Sequence, residues 1–156
     1  QKFLPLLFSK NSLPHCLQLS DAVHIMAFIA IHQEYDLSST VIADSIQTNP
    51  AFVRQIMMKL KKAGLMSSVN GHAKPSLAKP TEEITLLDIY KAVEGSKPLL
   101  HLDTHTNPDC GVGVNIQLAL QDYYNEIQKG TEKHMSSISL QDIIELYHTK
   151  TGQTDN

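Results

Sequence analysis

Six of the thirteen Lys and Arg residues of this 156-residue chain fall between positions 38 and 79: Arg54, Lys59, Lys61, Lys62, Lys74 and Lys79. Asp44 is the only acid in that stretch, which is therefore formally +5 in a chain whose net charge is −3. A basic module on an acidic body attracts a polyanion. Arg54 and Gln55 carry the groups that read base edges, since a guanidinium matches guanine and a carboxamide matches adenine. Thr48, Asn49 and Ala51 stand at the start of the same helical pattern. Lys59 within it, and His72 and Lys74 beyond it, suit phosphate contacts. Lysines on one helix are commonly no more than a solvated face. Here the charge asymmetry and the elements described below favour a nucleic-acid partner over that reading.

A second group lies in the polar stretch 96–113. Cys110 sits just before a helical pattern, where the helix dipole favours a thiolate, so the expectation is a redox-responsive thiol sensor; the bland reading is an inert loop cysteine. The acidic neighbour Asp109 works against activation. His101, His105 and Cys110 have a spacing that could clip a metal such as zinc, with Asp103 or Asp109 as a fourth ligand. Histidines in a polar loop are more often simply solvated, so the expected metal ligands are none. No cofactor is expected either, because an iron–sulfur cluster favours several thiolates and the loop supplies one. A glycine-rich phosphate loop, a nucleophile elbow and a His-Glu-x-x-His pair are all missing from the sequence, so no enzyme activity is expected.

The elements that must position these groups are legible from periodicity and caps. Residues 22–33 are apolar nearly all round and predict a buried helix, with Ser20 as N-cap and Asp21 in its first turn. Ser38 or Ser39 caps a short second helix, 40–46, whose inward positions are Ile42, Ala43 and Ile46. Ala43 supplies the small residue that a tight helix crossing needs. Asn49 followed by Pro50 opens a third helix to about residue 63, and Gly64 stops it. Val53, Ile56, Met57 and Leu60 face the core. Two extended runs around Asn70-Gly71 signal a hairpin. Helix, helix, turn, helix, hairpin is the order of a winged helix-turn-helix, whose third helix enters the major groove.

Thr85 and Asp88 form a capping box for a fourth helix that ends at Gly95. From about residue 114 to 135 a long helix carries Ile116, Leu120, Tyr123, Ile127 and His134 at 3-4 spacing, broken at Gly130. So narrow a seam predicts a dimer arm. Residues 139–147 form a last amphipathic helix.

The expected organisation is then a leader at 1–16, a winged helix-turn-helix domain at 17–95, a sensor loop at 96–113, dimerisation helices at 114–149 and a tail at 150–156. The leader, with its short apolar run 3–8 interrupted by Pro5, reads as non-native or mis-assigned. The fold class is mainly α with a small β-hairpin wing and a long dimerisation helix. Hydrophobic residues make up 42% of the chain, enough for one packed core. No run approaches the roughly 18 apolar residues of a membrane span. The two cysteines make no disulfide framework, and a cytoplasmic setting is expected.

From Leu17 to about Tyr147 the chain resembles the Rrf-two family of bacterial winged-helix regulators, the group of IscR, NsrR and CymR. Ile42-Ala43, the run Leu60-Lys-Lys-Ala-Gly-Leu65 and the run 84–93 carry the resemblance. Gly71-His-Ala-Lys-Pro75 and residues 99–117 point to the YwnA-like branch. The resemblance implies transcription regulation by a homodimer that binds a near-palindromic double-stranded operator and usually represses. The departures are Lys74-Pro75-Ser76 where many members have Gly-Gly-Tyr, and a single cysteine where cluster-binding members have three. Many members also carry an acid at the Arg54 position, so their base preference does not transfer. The alternative function is a winged-helix protein–protein assembly module with no operator.

Overall fold

The computed structural model describes residues 16–67, 74–103 and 105–152. The proposed leader up to residue 15, the Asn70-Gly71 turn, His72 and residues 153–156 lie outside that range.

Helix α1 (Cys16–Ile31) is the centre of the core. Ala22, Ile25, Met26 and Ile29 are buried, and the helix packs against every other layer of the winged-helix unit. It begins four residues before the expected cap. Ser20 is therefore an exposed interior position, because Leu19 extends the apolar face and packs on the core.

Helix α2 (Ser39–Ile46) is capped by Ser38, whose hydroxyl accepts the Val41 N–H at 3.4 Å. It ends at Gln47 in the left-handed region (φ 59°), and the Thr48 N–H donates back to the Ala43 carbonyl at 2.9 Å. Glycine usually takes that position. Gln47 holds it with its own side chain, whose Nε2 donates to the Asp44 carbonyl at 2.8 Å. Helix α3 (Pro50–Lys62) follows immediately, with the Asn49 Oδ1 accepting the Phe52 N–H at 2.9 Å. Val53, Ile56, Met57 and Leu60 are buried as the periodicity requires, against Ile42 and Ala43 of α2.

Gly64 (φ 72°) turns the chain out of α3. Strand β1 (Met66–Ser67) then pairs antiparallel with β2 (Ser76–Leu77), Met66 opposite Leu77 and Ser67 opposite Ser76. Leu65 and Met66 bury the base of this wing in the core. A 3-10 turn (Thr81–Glu83) leads into α4 (Leu86–Glu94), which carries the Thr85–Asp88 capping box and stops at Gly95.

Helix α5 (Gly111–Met135) starts directly after Cys110 and runs through Gly130 without interruption. It meets the body chiefly along α4. Gln128 accepts the Leu99 N–H at 2.9 Å, and Glu132 pairs with Lys91 at 3.6 Å.

Helix α6 (Leu140–Thr151) has its own capping box, Ser139 with Asp142. The Ser139 backbone N–H and then its hydroxyl donate to the Asp142 carboxylate, holding that carboxyl below its ordinary range. The N-caps of α4 and α6 form a two-bond β-bridge. Leu86 N–H donates to the Ile138 carbonyl at 2.8 Å and Leu140 N–H to the Ile84 carbonyl at 2.7 Å. Ile84 and Leu140 are fully buried beside it, and Ile144 joins the same cluster. Helix α6 thus closes the core of the winged helix, while α5 meets the body chiefly along α4.

Candidate nucleic-acid interface

The exposed face of α3 is set by what its other face buries. With Val53, Ile56, Met57 and Leu60 turned inward, the 3.6-residue period leaves Ala51, Arg54, Gln55 and Met58 outward, and all four are exposed. Asn49 is exposed at the N-terminus of the helix, and Thr48 is half-buried in the turn. These residues form one continuous surface across the turn and the first two helical turns, the part of a recognition helix that reaches base edges.

Arg54 is held on this surface. Its Nη1 donates to the Ser39 Oγ at 3.0 Å, reaching from α3 back to the first turn of α2. Ser39 is a participant that the sequence presented only as a possible cap. Ser38 takes the cap, which leaves the Ser39 hydroxyl free to orient the guanidinium. The two residues are fifteen apart, so no helical spacing signals the contact.

Lys59 does not belong to the exposed surface. Its ammonium donates to the Gln18 Oε1 at 2.7 Å and to the Val93 carbonyl at 2.9 Å. The side chain expected on phosphate here bridges α3 to the C-terminal end of α4, where a cation also meets the negative end of the helix dipole. Lys61 and Lys62 are exposed in the last turn of α3. Lys74 is exposed on the wing, and His72 lies outside the described residues. Arg54, Lys61, Lys62, Lys74 and Lys79 make no salt bridge to any described residue, so their charge faces outward uncompensated.

In the loop before α5, Cys110 is an exposed free thiol at the N-cap of that helix, and its side chain makes no capping hydrogen bond. The loop folds on itself through Asn107, whose carbonyl accepts the Cys110 N–H at 3.1 Å and whose Oδ1 accepts the Asp109 N–H at 3.0 Å. His105 and Asp103 are exposed and 3.5 Å apart. Among the described residues, no three His, Cys, Asp or Glu side chains are grouped to hold a metal ion. No helix of the described residues is long and apolar enough to cross a membrane.

The architecture matches known proteins. Residues 17–146 match the family model described as "Rrf2: Iron-dependent Transcriptional regulator". The YwnA protein of Bacillus subtilis (strain 168) is 37% identical over 127 residues, covering 81% of this chain and 94% of YwnA. IscR of T. potens superposes with a TM-score of 0.63 at 24% identity, over 93% of this chain and 94% of that one. CymR, the global cysteine regulator of B. subtilis, gives a TM-score of 0.63 at 21% identity, over 86% and 98% of the two chains. Both share the winged-helix fold.

The iron in the family description does not fit the donors present. The loop before α5 offers one thiolate, and its imidazoles and carboxylates are not assembled around a common point. An iron–sulfur cluster needs several thiolates, and a mononuclear iron site needs its imidazoles and carboxylates gathered at one point. The matched model spans most of the chain, the fold agrees with it, and the relatives are regulators and not enzymes: the chain belongs to the Rrf2 family of DNA-binding, winged helix-turn-helix transcriptional regulators.

Proposed function

We propose that the protein acts as a homodimeric repressor on a near-palindromic operator, with Arg54 and Gln55 reading bases in the major groove and Lys74 of the wing on the phosphate backbone. The observation that carries this reading is the Arg54–Ser39 hydrogen bond. It presents a guanidinium in a fixed place on an otherwise uncommitted helix face. Fixing the side chain beforehand lowers the ordering cost of a base contact.

The second copy is supported by α5. Val112, Ile116, Tyr123 and Ile127 share one side of that helix and are 75%, 48%, 66% and 49% exposed. An apolar stripe of that length on an arm that touches its own body along the other side fits a dimer seam. A dimer would double the helix-turn-helix surface, which matches a two-fold operator.

The proposal includes a redox input without a resident cofactor. The exposed Cys110 thiol stands at the N-terminus of the arm helix, so oxidation there would alter the arm's first turn. A salt titration of operator affinity tests the core of the reading. Binding should fall steeply between about 50 and 200 mM salt, with a slope that reports several phosphate contacts. Affinity that is flat with salt would reject the backbone contacts proposed for the wing and turn.

A further inference from the structure

The C-terminal end of α1, the wing strand β2 and α6 line an open cavity of about 800 Å³. The volume lies within the ~300–1,000 Å³ of small-molecule sites. Its floor is aliphatic: Ile29 and Leu37 from the α1 side, Leu77 from β2 and Ile144 from α6. Lys74 and Lys79 line it from the two ends of β2, against one carboxylate, Glu82. Both lysines lack an ion-pair partner among the described residues.

Part of the polar wall is bonded within itself. The Thr81 hydroxyl donates to the Gln141 Oε1 at 2.6 Å, and the Gln141 Nε2 donates to the Glu145 Oε1 at 3.0 Å. His148 also lines the cavity. Its Nδ1 is shielded from solvent and has no hydrogen-bond partner.

We infer that this cavity binds a small organic carboxylate, with its apolar body on Ile29, Leu77 and Ile144 and its anionic head toward Lys79 and Lys74. The aliphatic floor favours an organic body over a bare inorganic anion. The excess of cation over carboxylate favours an acid over a neutral molecule. A bound acid would connect the wing strand to α6 and draw Lys74 inward. That regulatory consequence rests on the proposed phosphate contact of Lys74; the binding itself does not.

The binding is tested without DNA, by titrating isotope-labelled full-length protein with phenylacetate and following backbone amide resonances. Saturable shifts are expected at Ser76, Leu77, Gln141 and His148. The neutral isostere phenylacetamide should bind about tenfold more weakly or worse, and Lys79→Gln should weaken phenylacetate by a similar factor. Lys79 is exposed, so that variant should fold; Lys74→Gln provides a second, equally exposed check. The inference is overturned by shifts confined to other surfaces, by equal affinity for acid and amide, or by affinity unchanged in both lysine variants. Inorganic phosphate binding as tightly as phenylacetate at the same amides would also overturn the organic-acid class.

Discussion

The Lys59 ammonium lies 2.9 Å from the Val93 carbonyl oxygen and thereby ties the middle of the recognition helix to the end of α4. The contact is half-buried, and it leaves two acceptors, Val93 O and Gln18 Oε1, dependent on one cation. Replacing Lys59 with Met should cost about 1–3 kcal/mol of stability through those unpaired acceptors. The same variant should leave the salt slope of DNA binding unchanged. A phosphate-contacting lysine behaves in the opposite way, lowering the slope by about 1 with little effect on stability. Thermal melts and salt titrations of Lys59→Met, run together, separate the two roles.

Arg54→Ala should weaken binding by about 1–3 kcal/mol at a single base position of the operator and relax the preference there. Ser39→Ala should cost less, since the guanidinium survives and loses only its fixed orientation. Anisotropy measured on an operator and on its scrambled version checks both. An equal loss on the two duplexes would leave Arg54 as a backbone contact and not a base reader.

Placing a carboxylate in the apolar stripe of α5 should break the proposed dimer. Tyr123→Glu and Ile127→Glu each bury a charge at the seam if the seam exists, and together they should give a folded monomer by light scattering. Both positions are exposed within the chain, so the fold itself should survive. A double variant that stays dimeric at micromolar concentration would place the interface elsewhere.

Cys110→Ser should abolish the loss of operator affinity on treatment with hydrogen peroxide if the thiolate is the sensor. In the wild type the thiolate attacks the peroxide, forming a sulfenic acid with release of hydroxide. Mass spectrometry of Cys110 alongside a gel-shift titration reports both halves of the claim. A serine variant that releases DNA under oxidant as readily as the wild type ends it.

The parts of this molecule legible in its sequence are those whose causes are local. Ser38, the Asn49-Pro50 pair, Thr85 with Asp88 and Ser139 all announce helix starts within four residues of the groups they cap, and the structure places helices α2, α3, α4 and α6 on them. Non-local causes left no such trace. The partners of Lys59 are 34 and 41 residues away, so its side chain read as one more exposed lysine. Arg54 was visible as a candidate base reader, but the hydroxyl that steadies it was hidden behind a choice between two adjacent serines. Helix α6 looked like an extension of the arm because its sequence shows one apolar face and not what covers it. Ser20 misled for the converse reason: a good local cap was overruled by core packing that extends the helix past it.

The bridge between Thr85 and Ser139 sets an order of events for a chain emerging from the ribosome. Ile84 is made early, but its backbone carbonyl and its buried neighbour Leu140 meet only after more than fifty further residues have been added. Closing so long a loop is slow compared with forming helices α1 to α3. The nascent DNA-reading unit therefore waits with an open apolar flank until α6 has been made and completes the core around α1.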